Sequence, residues 1–96
     1  MPKIKISETH GLAKDDLNGR VENYLKLLRD DKMKMVAFDY EWKDDNNVEL
    51  KGNGFSGKVK LSDKDVDIFV DMSLMLAPFK SKVEDGLRGG LKKYLS

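Results

Sequence analysis

Cysteine is absent from the 96-residue chain, which excludes disulfides, thiolate metal centres and a cysteine nucleophile. An excess of either charge is missing too. The 18 basic and 17 acidic residues cancel to +1, which argues against a dedicated nucleic-acid binder. No apolar run approaches the roughly 20 residues of a membrane span. The opening MPKIKISETH has no signal-peptide apolar core, so a cytoplasmic protein is expected. With two prolines and no linker, repeat or low-complexity stretch, residues 1–96 are expected to form one domain. A chain of this size buries roughly two thirds of its unfolded surface. That is room for one core, without a deep active-site cleft and a second layer.

Among the residues that are there, hydrophobic periodicity switches between two and 3.6, the pattern of a mixed α+β domain. Lys3-Ile4-Lys5-Ile6-Ser7 alternates, which predicts a short strand with Ile4 and Ile6 inward. Leu17, Val21, Tyr24, Leu25 and Leu28 recur at helical spacing, which predicts a helix over about 13–30, with Asp15 and Asp16 favourably near its start. In 35–43, Val36, Phe38, Tyr40 and Trp42 form one strand face, and 44–47 reads as a turn. Val48 and Leu50 mark a third strand and 58–61 a fourth. The fifth is expected to carry Val66, Ile68, Val70, Met72, Leu74 and Leu76 on one face until Pro78 stops it just before a helix. Phe79, Val83, Leu87, Leu91, Tyr94 and Leu95 then form one apolar stripe.

The order is β-α-β-β-β-β-α, an α+β fold. Short connections predict an antiparallel sheet, and one polar face per strand places both helices on the other side. On the polar face, Lys3, Lys5, Lys58 and Lys60 would flank Asp65, Asp67 and Asp71 if the fifth strand lay between the first and fourth. The expected strand order is therefore 1-5-4-3-2, with the last helix across the inner face in a helix-grip-like arrangement.

Several constellations invite a chemical reading. Gly52-x-Gly54-x-x-Gly57 has the letters of a dinucleotide-binding loop, but strand-like residues follow it where that mechanism needs a helix, so a glycine hairpin or bulge is expected. Stacking of single-stranded RNA needs several exposed aromatics, and only Phe55 and Phe69 are placed for it. His10, the lone histidine, fits a turn or cap. The same-face pairs Asp39/Glu41 and Asp67/Asp71 lack a desolvating pocket that would hold one acid protonated. Neither catalytic nor metal-ligating residues nor a cofactor site are therefore assigned. Phe38, Tyr40 and Trp42, facing Leu87 and Leu91 of the last helix, either pack the core or line a ligand cavity. Lys80, Lys82, Arg88, Lys92 and Lys93 against Glu84 and Asp85 give the last helix a local charge of +3.

The opening Pro2-Lys3-Ile4-Lys5-Ile6-Ser7 with Thr9-His10 resembles the small bacterial polyhydroxyalkanoic acid system proteins. So does Leu74-Met75-Leu76-Ala77-Pro78-Phe79-Lys80 leading into Val83, Glu84, Leu87 and Leu91, and the Gly57-x-Val59 segment is similar too. The resemblance spans essentially the whole chain. It implies a granule-related or regulatory role in storage of polyhydroxyalkanoate, a polyester kept in cytoplasmic granules, with no catalytic residues carried over. The expectation is a non-enzymatic accessory protein that meets the granule, or a granule protein, through Phe69, Met75, Lys80, Lys82, Arg88, Lys92 and Lys93. The alternatives are a small carrier of an apolar or acyl ligand under the last helix, and an RNA- or ribosome-binding domain.

Overall fold

A computed structural model describes residues 3–32 and 38–96. Its strands are β1 (Lys3–Thr9), β2 (Phe38–Asp44), β3 (Asn47–Gly52), β4 (Phe55–Leu61) and β5 (Asp65–Met72), and its helices are α1 (Lys14–Leu27) and α2 (Lys80–Leu95). The strands form one antiparallel sheet in the order β1-β5-β4-β3-β2, as the charge pattern predicts. Both helices lie on its apolar face. Ile4, Ile6, Val48, Val59, Val66, Ile68 and Val70 join Leu17, Val21, Tyr24, Leu25, Leu87, Leu91 and Leu95 in one buried cluster. Val36 lies outside the described residues.

The polar face is more finely arranged than simple Lys–Asp alternation. Asp71 stands opposite Lys3 and Ser56, and Asp67 opposite Ser7 and Lys60. Between these acids Phe69 faces lysines on both sides, with the Lys5 and Lys58 ammonium groups 5.7 and 6.0 Å from its ring centre. Lys3 reaches Asp71 at 3.8 Å, and both side chains are more than half exposed. An ion pair this wet contributes little to stability and serves mainly to specify register.

β1 runs on to Thr9, and β2 and β3 take Asp44 and Asn47 from the expected turn, but the departures that bear on the site are at β5 and β4. β5 ends at Met72, so Leu74 and Leu76 are not part of it. The reason is a lack of partners: β4 begins at Phe55, opposite Met72, and Lys3 of β1 pairs with Asp71. With no described strand beyond, the chain turns off the sheet. The Ser73 N–H donates to the Gly54 carbonyl at 2.7 Å, and Leu74–Phe79 wind into a 3-10 segment. Pro78 lies inside that segment rather than after a strand, and α2 starts at Lys80. β4, in turn, begins three residues before position 58. Asn53-Gly54 closes a tight hairpin, with Gly54 at φ 93°, a left-handed conformation that glycine adopts without steric cost. The GxGxxG letters therefore spell a hairpin. Phe55 faces the core, where it meets Phe38 edge-on at 5.9 Å, and is unavailable as an outer-face stacking platform.

α1 ends earlier than position 30 as a regular helix and continues as a π-helical turn over Leu28–Lys32. It packs on α2 where the Tyr24 hydroxyl donates to the Leu87 carbonyl at 2.7 Å. A Cβ on Gly90 would sit 2.8 Å from the Tyr24 ring, so only glycine allows this approach, whereas a Cβ on Gly89 would meet nothing within 4 Å. Gly89→Ala is expected to stabilise the protein by about 1 kcal/mol, raising Tm by about 4–8 °C. Gly90→Val is expected to lower it by displacing Tyr24. Thermal denaturation followed by circular dichroism distinguishes the two, and a stabilising Gly90→Val would contradict the packing described.

Candidate functional site

The strand registers gather several features at one end of the sheet: the β3–β4 turn, the start of β2, the end of β5 and the 3-10 segment. This is where burial of apolar surface is least complete. Leu74 is 74% exposed, Met75 87% and Phe79 39%, and these are the large exposed hydrophobics among the described residues. Leu76 packs the other way, against the core, and would lie 3.2 Å from a Cβ on Gly54. The segment is thus a hook braced on the hairpin turn, with Leu74, Met75 and Phe79 left exposed. Isolated exposed hydrophobics are ordinary, and three on one short segment make this end the candidate site.

Two lysines adjoin the hook. Lys80 is half-buried and Lys82 exposed, both in the first turn of α2, which carries no acidic residue and no side-chain cap. Cations there oppose the helix macrodipole. The other expected contact residues are spread along and across the molecule. Arg88 pairs with Glu84 at 3.5 Å, and Lys92 and Lys93 occupy the far end of α2, where they suit the dipole. Phe69 lies on the opposite face of the sheet between its two lysines. The structure therefore brings Met75, Lys80 and Lys82 together and separates them from Phe69, Lys92 and Lys93. The sequence reading placed Leu74 in a strand and Phe79 in the buried helix stripe. A signal was present, since the outward alternation Asp65, Asp67, Asp71 gives way to Met75 and Ala77.

Just inside the hook end, a cavity of about 30 Å³ lies between sheet and helices, lined only by apolar side chains. Phe38 and Leu87 line it, together with Leu28, Phe55, Met72 and Val83 among others. Tyr40, Trp42 and Leu91 do not. Tyr40 and Trp42 instead hold the carboxylate of Glu22 on α1: the Tyr40 hydroxyl donates at 2.9 Å and the Trp42 indole N–H at 2.6 Å. The Arg29 guanidinium lies 5.1 Å from the Tyr40 ring centre and donates to Asp39 at 3.4 Å. Burial first, and Glu22 second, push the Tyr40 phenol up to about 12. This cluster latches α1 to the outer strand of the sheet. A half-buried Tyr and Trp two residues apart needed a polar partner, and Glu22, beside the apolar face of α1, supplies it.

His10 and the acidic pairs singled out in the sequence are engaged structurally. His10 Nδ1 accepts from the Leu12 N–H at 3.1 Å, so Nε2 carries the proton and donates to the Ser62 carbonyl at 2.8 Å. Asp39, Glu41 and Asp71 each sit within an exposed ion pair, and Asp67 accepts from the Ser7 hydroxyl. On the open face, lysines and acids interleave through Lys43–Glu41, Lys43–Glu49 and Lys51–Glu49. Among the described residues, no helix is long and apolar enough to cross a membrane.

Fold and site together define a two-layer α+β protein whose most distinctive surface is an apolar hook beside two lysines. A family model described as "Putative polyhydroxyalkanoic acid system protein (PHA_gran_rgn)" matches residues 4–95, and the chain belongs to that family. No curated protein and no solved structure matches it, and the helix-grip comparison is not confirmed.

Glu22→Ala is expected to cost about 1.5–3 kcal/mol, the range for hydrogen bonds to a charged group. It should also lower the Tyr40 titration below that of the native protein while leaving it above 10, because burial is the larger cause. In the native protein the raised phenol implies stability that is intact below pH 10 and lost as pH rises towards 12. Ultraviolet tyrosinate titration and alkaline thermal melts check both statements.

Proposed function

We propose that the protein is a non-enzymatic accessory factor of polyhydroxyalkanoate storage that binds at the surface of the polyester granule. A granule-associated protein is the alternative docking partner. The single observation that carries this reading is the exposure of Leu74 and Met75 at the head of the hook. Family membership supplies the context, a polyhydroxyalkanoic acid system.

The physical case is one of complementarity. A polyester surface offers apolar chain segments that Leu74, Met75 and Phe79 can cover, and each side chain removed from water contributes on the order of 1.5–3 kcal/mol before binding costs. Granule surfaces coated with anionic amphiphiles would add attraction to Lys80 and Lys82, a contribution that salt weakens. The hook is braced by the Ser73–Gly54 hydrogen bond, so little conformational freedom is lost on docking. A cytoplasmic location follows from this reading.

Sedimentation of purified protein with isolated granules tests it. The native protein is expected in the pellet, and Leu74→Ser/Met75→Asp in the supernatant with an unchanged melting temperature. Lys92→Glu/Lys93→Glu, at the far end of α2, is expected to pellet like the native protein. Native protein that stays in the supernatant, with both bare and protein-coated granules, refutes the proposal.

A further inference from the structure

We propose that the apolar cavity is a binding site for the tail of a single linear alkanoate, and that the N-terminal half of α2 is its lid. This inference is independent of granule docking and assigns the interior of the protein a ligand of its own.

The two halves of α2 are held very differently. From Leu87 onward the helix is anchored. Tyr24 donates to the Leu87 carbonyl and packs on Gly90, Leu91 and Leu95 are buried, and Arg20 donates to the carbonyls of Tyr94 and Ser96 at 3.2 and 2.9 Å. Before Leu87 no hydrogen bond from α1 reaches the helix among the described residues, and its restraints are Val83 against the core, the Lys80 N–H on the Ala77 carbonyl and the exposed Glu84–Arg88 pair. The first turn has no side-chain cap and no acid, and its two lysines oppose the helix dipole. Gly86 follows at the boundary. A Cβ there would meet nothing within 4 Å, so no packing contact requires glycine. It weakens the helix relative to alanine. Val83 is the principal apolar residue that this loose half sets over the cavity.

The cavity supplies the ligand chemistry. Its lining offers no hydrogen-bond partner, so water gains nothing by occupying it. At about 30 Å³ the closed form admits only the end of a hydrocarbon chain. Further methylenes enter as Val83 moves outward with the lid, each replacing an unfilled contact of the core. Lys80 lies three residues before Val83 on the same helix face, at the side of the lid that adjoins the hook. A carboxylate head beside Lys80 with its tail beneath Val83 matches that order of charge and apolar surface. A cationic head would be repelled by Lys80 and Lys82.

Titration of the methyl-labelled full-length protein with decanoate, below its micelle concentration, tests the proposal. Saturable shifts are expected at Val83, Leu87, Val59 and Leu28. Decyltrimethylammonium, which has the same chain length, is expected to bind more weakly. Lys80→Glu should weaken decanoate binding about two- to fivefold, the range of an exposed charge pair. Val83→Phe should fill the space and abolish the shifts. Gly86→Ala should raise Tm and weaken binding about fivefold by holding the lid shut. Shifts confined to Leu74 and Met75, or no saturable shifts, would overturn the cavity site. Unchanged affinity in Gly86→Ala would overturn the lid. Granule sedimentation of Val83→Phe separates the two proposals, since the hook is intact in that variant and pelleting is expected to persist.

Discussion

The structure depends on covering one apolar face of a five-stranded sheet with two helices of 14 and 16 residues. The sheet is too wide for either helix alone. The helices therefore meet through Tyr24 and Gly90, where the absent Cβ lets the tyrosine ring approach and its hydroxyl reach the Leu87 carbonyl. From that contact the cover is tight towards the C-terminus of α2 and incomplete towards the hook. Both the internal cavity and the exposed Leu74, Met75 and Phe79 lie at the incomplete end. They are two consequences of one shortage of covering surface.

That shortage makes the two ends of the molecule physically different. At the far end of the sheet, turns and helix starts are tied by polar contacts. Lys14 and Asn18 reach the Asp45 carbonyl, and His10 bridges Leu12 and Ser62. At the hook end apolar side chains meet solvent and lysines stand at the wrong end of a helix dipole. Natural domains commonly give up local stability at binding sites, because a surface that must engage a partner cannot be fully satisfied in isolation. The Glu22–Tyr40–Trp42 latch shows the opposite arrangement. There, aromatic residues that resemble a cavity wall in sequence are committed to fastening α1 to an outer strand.

Much of the fold was legible because its signals were local or additive. The alternation of Ile4 with Ile6 and of Val66, Ile68 and Val70 gave each strand an inner face, and the Lys and Asp positions pointed to β5 between β1 and β4. Legibility failed at Leu74 and Leu76, where the period continued but the partners did not. It failed again at Phe55, where the two-residue turn at Asn53-Gly54 began the strand earlier than its composition indicated. Of the residues expected to meet a partner, Met75, Lys80 and Lys82 share one end, while Phe69 lies on the other face of the sheet. A linear pattern carries charge and hydropathy but not the distance between elements.

By itself the sequence determined the element order, the antiparallel sheet, the strand sequence 1-5-4-3-2 and the near-neutral, cysteine-free character of the chain. These follow from periodicity and composition, which each residue carries wherever it ends up. Only the tertiary structure decided where β5 stops, which apolar side chains remain outside, that Glu22 occupies the polar groups of Tyr40 and Trp42, and that the hydrogen bonds from α1 reach α2 at Leu87 and beyond. Those outcomes depend on which surfaces find a partner within contact distance. Strand ends and helix covers are settled by neighbours distant in sequence, and a residue's own hydropathy does not record whether that neighbour is there.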